Sequence, residues 1–278
     1  MNAKKQVLIK QVYLPNKSKN ILFRNIHIEN KYLLYNRISI DYDVIRKSDK
    51  KIMLSLKNVP YAMTYELTEN EYYDLNTQIT NDMNSVLQSF RFAKRLLFKP
   101  DKLVIGIGCE SPFSTSLITL HPVYGIPFIP GCAIKGVVRN SYIQEKYNGS
   151  EDEAIKNEKF RKLFGCGADD NKSQAAQGNL VFLDAFPDKD FEICWDVQTP
   201  HFKDYYDNEG ETKPTDDMQP VPLYFPVVKN TSFLINICSL ENIELDDEIV
   251  KKTFNTYGIG AKTSLGYGLG KIHRIDCK

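Results

Sequence analysis

Between Gly258 and Gly270 the chain reads GIGAKTSLGYGLG, and five of its fifteen glycines fall in those thirteen residues. Glycine reaches positive φ without a Cβ penalty, and successive exposed N–H groups form concavities that hold anions. Between the pairs Gly258/Gly260 and Gly266/Gly268, Lys262 adds a cation and Thr263 and Ser264 add hydroxyl donors; Tyr267 sits inside the second pair. Two readings fit: a cradle for the phosphates of a nucleic acid, or a tight irregular turn folded against the protein itself. It is not a nucleotide P-loop, because Thr256 and Ala261 stand where that motif needs glycine. Nor is it a dinucleotide fingerprint, since the spacing predicts a helix before it and a strand, Tyr267 to Ile275, after it.

A second candidate phosphate site lies at IPGCAIKGVVR, Ile129 to Arg139. Pro127, Pro130 and Gly131 enforce an extended approach and a turn, after which Ala133, Val137, Val138 and Ile143 recur at helical spacing. A helix starting near Gly131 and Cys132 offers free N–H groups and its positive dipole end to a phosphate. Lys135 falls in the first turn and Arg139 four residues on, so both project along one face. A cation at that end opposes the dipole, which favours a ligand role; the alternative is a salt bridge to the acidic segment downstream.

The remaining candidates are weaker. His27, His121 and His201 are possible general acids or bases, with a buried or surface structural role as the alternative. Tyr124, His121 and Tyr267 could stack on bases or pack at strand ends. Cys132 at a helix start would have a lowered pKa, but no histidine stands near it in a hydrolase pattern. Asp216 and Asp217, and the run Glu151 to Glu153, are carboxylates that could meet a cation or simply be solvated. The six cysteines lie more than twenty residues apart, which excludes zinc spacing and fits reduced thiols.

These residues need a scaffold, and 278 residues with 42% hydrophobic content suffice for a core in one large domain or two small ones. No apolar run approaches about 18 residues, and MNAKKQVLIKQVYLPNK lacks the apolar centre of a secretory signal, so a soluble cytoplasmic protein is expected. Net charge is +1 but unevenly spread: residues 1–60 hold thirteen basic and four acidic side chains, residues 151–217 eight basic and seventeen acidic. Such a chain suits a subunit that meets a polyanion on one side and a basic protein on another, or it has two ordinary solvated surfaces.

The first 75 residues read as strands or extended arms: Gln6 to Val12, Ile21 to Ile28, Tyr32 to Tyr42 and Ile52 to Leu56, broken by PNKSKN and RKSDKK turns. From Asp74, the stripe Ile79, Met83, Val86, Leu87, Phe90 and Leu97 predicts one helix, with Arg91, Lys94, Arg95 and Lys99 at its C-terminal end. A buried strand is expected at Lys102 to Ile107, then the helix from Cys132, a second short helix over 151–164, and a strand at Asn179 to Phe186. An irregular insertion follows from Phe191 to Asp217, then one or two strands within Leu223 to Ile237. Leu245, Ile249, Val250, Phe254 and Tyr257 predict a last helix ending at Gly258. From residue 102 this is β-α-β-β-α-β, the order of an α+β ferredoxin-like domain. The expected division is residues 1–99, a basic β-rich region plus the amphipathic helix, and residues 100–278, with acidic insertions at about 151–178 and 187–222.

Taken together, three ordered motifs resemble a known family. GIG, five residues including a lysine, then GYG is similar to the signature of the RAMP proteins of CRISPR systems. IPGCAIKGVVR resembles the helix start of RAMP subunits in type III effector complexes, and LDAFP, DVQTPHFKDYY and PVPLYFPVV resemble segments of the type III-B Cmr RAMP subunits. The likeness covers roughly residues 100–275; it departs from the pattern at Cys132, where serine is usual, and leaves the first 75 residues without a motif. It implies an RRM-like ferredoxin domain and a non-catalytic RNA-binding subunit near the 3′ end of the guide RNA. The implied partners are guide RNA, target RNA, other Cmr RAMP subunits and small helical subunits. It implies no cofactor, metal, membrane or small-molecule substrate. The implied RNA contacts are Gly131, Cys132, Lys135, Arg139, Gly258, Gly260, Lys262, Thr263, Ser264, Gly266, Tyr267 and Gly268. A metal-independent endoribonuclease and a scaffold without RNA contact are the alternatives.

Overall fold

A computed structural model gives the fold; it describes residues 42–48, 51–56, 69–106, 118–167, 175–202, 205, 211, 213–215, 220 and 222–275. Of the strands expected near the N-terminus, those at Gln6 to Val12 and Ile21 to Ile28 lie outside these residues, as does nearly all of Tyr32 to Tyr42. An antiparallel hairpin joins β1 (Tyr42–Ser48) to β2 (Lys51–Leu56), with a bulge between Val44 and Arg46. β1 thus runs into the stretch expected to be a turn.

The principal sheet has the order β12-β3-β11-β7, with β8 also on β11, and every pairing in it is antiparallel. Its strands are β3 (Phe92–Pro100), β7 (Val181–Phe182), β8 (Phe186–Pro187), β11 (Phe233–Ser239) and β12 (Gly270–Ile275). A three-stranded sheet, β4-β10-β9, is built from β4 (Lys102–Leu103), β9 (Glu192–Gln198) and β10 (Leu223–Lys229). A minimal pair, β5 (Gly165–Cys166) and β6 (Ala176–Gln177), closes the loop after the short helices. The chain is a mixed α/β protein with antiparallel sheets.

β3 corrects the expected long helix. Helix α1 (Glu69–Leu87) stops ten residues before Leu97 and unwinds through Ser89 and Phe90, whose amides reach the carbonyls of Val86 and Leu87. From Phe92 the burial alternates: Lys94, Leu96 and Phe98 point into the core, while Arg95, Leu97 and Lys99 point to the other face. Leu97 satisfies both a helical stripe and a two-residue alternation, and the pairing of β3 with β11 and β12 decides the matter. The basic cluster therefore sits on a central strand rather than at a helix end. Because β3 supplies the middle of the sheet, the sheet draws on both sides of the division expected at residue 99. Of the strand expected at Lys102 to Ile107, the described residues 102–106 form strand only over β4, which pairs with β10; Ile107 lies outside them.

One face of the sheet carries α2 (Gly131–Tyr147) and α5 (Asp247–Lys252), which runs on through a π-helical turn, Thr253–Tyr257. Ile134, Val138, Tyr142, Ile249, Val250 and Phe254 from these helices join Leu96, Phe98, Ile235 and Ile237 of the strands in one core. Burying a side chain of this size contributes about 1.5–3 kcal/mol, so the core fixes the helices on the sheet. The segment 151–164, expected as one helix, is two: α3 (Glu151–Lys156) and α4 (Glu158–Phe164), separated by Asn157, whose side chain accepts the Phe160 N–H at 3.1 Å. Ala154, Ile155, Phe160, Leu163 and Phe164 are buried, so this part of the acidic stretch is a packed element. The expected strand Asn179 to Phe186 is interrupted, because Ala185 turns away to bridge Ile129. β9 corrects the first part of the expected irregular insertion, pairing with β10 over all seven residues; most of 203–217 lies outside the described residues.

α1 lies on the opposite face of the sheet. Leu75, Ile79 and Met83 pack with Ile126 and Phe186, and Asn84 Oδ1 accepts from Arg95 of β3 at 2.8 Å. Among the described residues no helix is long and apolar enough to cross a membrane.

Candidate nucleic-acid interface

α5 ends in its π turn at Gly258, whose N–H donates to Thr253 O at 2.8 Å, and the chain then doubles back on itself. Ile259 N–H donates to Gly268 O, Ala261 N–H to Val104 O and Gly268 N–H to Lys102 O, all within 3.0 Å. Two glycines are required by these contacts: a Cβ on Gly260 would stand 2.3 Å from Val104 O, and one on Gly268 1.8 Å from Ile259 O. The self-packed turn and the phosphate cradle were alternatives in the sequence; at Gly258, Gly260 and Gly268 the structure shows the turn. Gly266 differs, because its φ is +92° yet nothing lies within 4 Å of the Cβ position, and its neighbours Ser264 and Leu265 are exposed. The outer rim of the loop, 262–266, is the part that faces solvent.

Lys262 adopts φ +60° and turns its Nζ onto Gln198 Oε1, 4.7 Å from the centre of the Phe225 ring. Tyr267 packs edge-on against Phe225 at 5.6 Å and donates its hydroxyl to Asp196 Oδ2 at 2.9 Å. The same oxygen receives Lys102 Nζ at 2.7 Å. That ammonium hydrogen bond holds the Asp196 carboxyl below the usual carboxylate range, and burial together with Asp196 pushes the Tyr267 phenol up. The loop is thereby pinned to β9 by one carboxylate and to β10 by the Phe225 ring, and Tyr267 is committed as a packed aromatic.

The start of α2 rests on a different element. A Cβ on Gly131 would fall 2.1 Å from Phe182 O, and Gly131 N–H donates to Asp184 Oδ1 at 2.7 Å. A carboxylate therefore already meets the first amide of this helix end. Cys132 is exposed beside it. Arg139 is bound to Glu151 at 2.6 Å and lies over the Phe160 ring at 5.3 Å, the salt bridge to the acidic segment that was its alternative role. Among the described residues no carboxylate pairs with Lys135, which leaves it the cation of this helix start still open to a ligand. The helix start and the glycine loop meet through a shared core that includes Ile129, Ile134, Leu103 and Ile259.

His121 stacks on Tyr124 at 4.6 Å, abuts Phe128 and Phe186 edge-on, and accepts the Tyr124 N–H on Nδ1 at 3.3 Å. Burial lowers its pKa, so the ring is neutral near pH 7. His201 is exposed beside Phe202; His27, Asp216 and Asp217 lie outside the described residues. Glu151 and Glu153 pair with Arg139 and Lys156, and among the described residues no cluster is arranged to hold a metal ion. The role of Asp196 was missed by sequence reasoning. Its partners lie 94 and 71 residues away, and the pairing of β10 with both β9 and β4, with the loop tied to β4 at Lys102 O, brings them together.

The RAMP superfamily model matches residues 101–271, which takes in both the helix start and the glycine loop. The chain is 28% identical to the CRISPR system Cmr subunit Cmr6 of Pyrococcus furiosus, over 85% of this chain and 82% of that one. It is 26% identical to the CRISPR system CMR subunit Cmr6 of Saccharolobus solfataricus, over 74% of this chain and 65% of that one. Its fold is similar to a chain in the cryo-EM structure of the type III-B Cmr-beta bound to cognate target RNA. That match has a TM-score of 0.51 and 23% identity, and it spans 76% of this chain and 68% of that one.

Proposed function

The chain belongs to the RAMP superfamily, and on that premise we propose that it is a non-catalytic RNA-binding subunit of a type III-B Cmr effector complex, the sixth of its RAMP subunits. The observation that carries the reading is the family match across residues 101–271, supported by similarity to Cmr6 subunits over most of the chain. The elements β3, α2, β7/β8, β11, α5 and β12 follow the β-α-β-β-α-β order, and we read them as a ferredoxin-like module. In this reading the protein is cytoplasmic, lies near the 3′ end of the guide RNA, and supports guide and target binding among other RAMP and small helical subunits.

Lys135 on α2 is the proposed phosphate contact, and the exposed rim of the glycine loop, with Thr263, Ser264 and Gly266, is a second. Phosphate contacts position a strand without reading its sequence, so binding should tolerate any guide sequence. Absence of catalysis fits the chemistry of His121, whose Nδ1 is engaged and whose ring is caged by aromatics.

The test is reconstitution of the complex with guide RNA. Lys135→Gln is expected to flatten the salt dependence of RNA binding by about 0.7 in log–log slope, the value of one single-strand phosphate contact. An unchanged slope removes Lys135 from the interface. RNA cleavage by the purified chain that disappears in His27→Ala, His121→Ala or His201→Ala would replace this reading with an endoribonuclease.

A further inference from the structure

The two faces of the principal sheet treat their cations differently. On the face covered by α2 and α5, the nearly buried Lys94 is bonded to Asp247, and Arg274 approaches the same carboxylate at 3.8 Å. On the other face, among the described residues, α1 packs on β8 through Ile79, Met83 and Phe186 and reaches β3 at Arg95 through Asn84. The half formed by β3 and β12 carries Lys99 directly opposite Lys271, Leu97 opposite His273 and Arg95 opposite Ile275. Lys99, Lys271 and His273 are exposed, and among the described residues no carboxylate pairs with either lysine. Arg95 is held only by the neutral side chains of Asn84 and Asn236.

Like charges directly across a strand pair are destabilising. Protection of a sheet edge explains Lys271 and His273, since β12 is an outer strand. It does not explain Lys99 or Arg95, which stand on β3 between two paired strands. The track also continues from the glycine loop, because Gly270 pairs with Pro100 immediately before the Lys271–Lys99 pair. Side chains on one face of a strand recur about every 6.6 Å, so Lys271, His273 and Ile275 follow one another along β12 from the loop outward, with Lys99 directly across from Lys271.

We propose that this open half of the sheet, centred on the Lys99–Lys271 cross-strand pair, is a binding track for the phosphate backbone of single-stranded RNA. The proposal rests on the RNA-binding reading above and extends it to a surface on the side of the sheet opposite α2. Direct contact with Lys99 and Lys271 relieves their mutual repulsion, and the exposed His273 lies beside them on the same face.

The experiment measures binding of a fluorescein-labelled single-stranded RNA by the purified full chain across a salt series. Lys99→Gln/Lys271→Gln is expected to flatten the slope by about 1.4, for two contacts at about 0.7 each, so that the affinity lost between about 50 and 200 mM salt shrinks roughly 7-fold. Lys99→Arg/Lys271→Arg is expected to keep the wild-type slope. RNA binding by the wild type with an unchanged slope in the glutamine variant overturns the track and leaves the RNA-binding reading standing. An equal loss in the arginine variant also overturns it, because the effect is then structural. A glutamine variant that keeps its RNA slope but loses an acidic protein partner assigns the surface to protein. No RNA binding by the wild type sinks both proposals.

Discussion

Asp196 holds the glycine loop in place through one carboxylate oxygen that receives both Lys102 and Tyr267. Its folded pKa is depressed, chiefly by Lys102, so its contribution is complete above the unfolded value of about 3.9 and fades as pH falls through the lower folded value. Asp196→Asn should cost roughly 1 kcal/mol, the worth of a typical hydrogen bond with a half-exposed partner, and should reduce the loss of stability on acidification in a pH series of thermal melts, leaving the shares of Glu145 and Asp246. The glycines separate in the same assay. Gly268→Ala and Gly260→Ala drive a Cβ into a carbonyl oxygen and should lose several kcal/mol; Gly266→Ala meets only its strained φ and should lose about 1–2 kcal/mol. The glycine string was plain in the sequence, but which glycines serve packing was not. That depends on Val104 O and Ile259 O, and no spacing rule reports a contact with a backbone oxygen elsewhere in the chain. Asp196 was invisible for the same reason.

Among the elements, α2 and α5 were legible because an apolar period agreed with a marker at one end, Pro130–Gly131 before α2 and Gly258 after α5. β3 was not. Its leucines and phenylalanines suit either period, and the alternation became decisive only when β11 and β12 paired with both edges. Hydrogen exchange checks this assignment: amides in β3 and β11 should be the slowest in the chain, while those of Gln88 to Arg91 exchange quickly. A continuous protected helix through Leu97 would refute it. β9 was missed for a related reason, since Glu192, Asp196 and Gln198 dilute its strand character and β10 completes it. At the junction of α2 with β7, Gly131→Ala should be severely destabilising, because the Phe182 carbonyl occupies the Cβ position; a melt unchanged from wild type would contradict the packing.

At the scale of the whole molecule, the opposed charge of the two halves reads differently after folding. Helices α3 and α4 are docked on the core, and Glu151 and Glu153 of the acidic α3 neutralise Arg139 and Lys156, so that stretch is partly internal structure. Among the described residues, Lys135 and the Lys99–Lys271 pair carry positive charge with no carboxylate partner, and they lie on opposite sides of the sheet. That separation is what a subunit gripping an RNA strand along its course requires, and it makes the RNA the test of the account. The most direct measurement is to tag this chain in the cells that carry it, purify it gently, and determine the sequence and length of bound RNA together with the co-purifying proteins. The expected result is a set of discrete guide RNAs sharing one constant repeat-derived end, recovered with several RAMP subunits. A protein recovered alone, or with subunits but no RNA contacts by crosslinking, would contradict it.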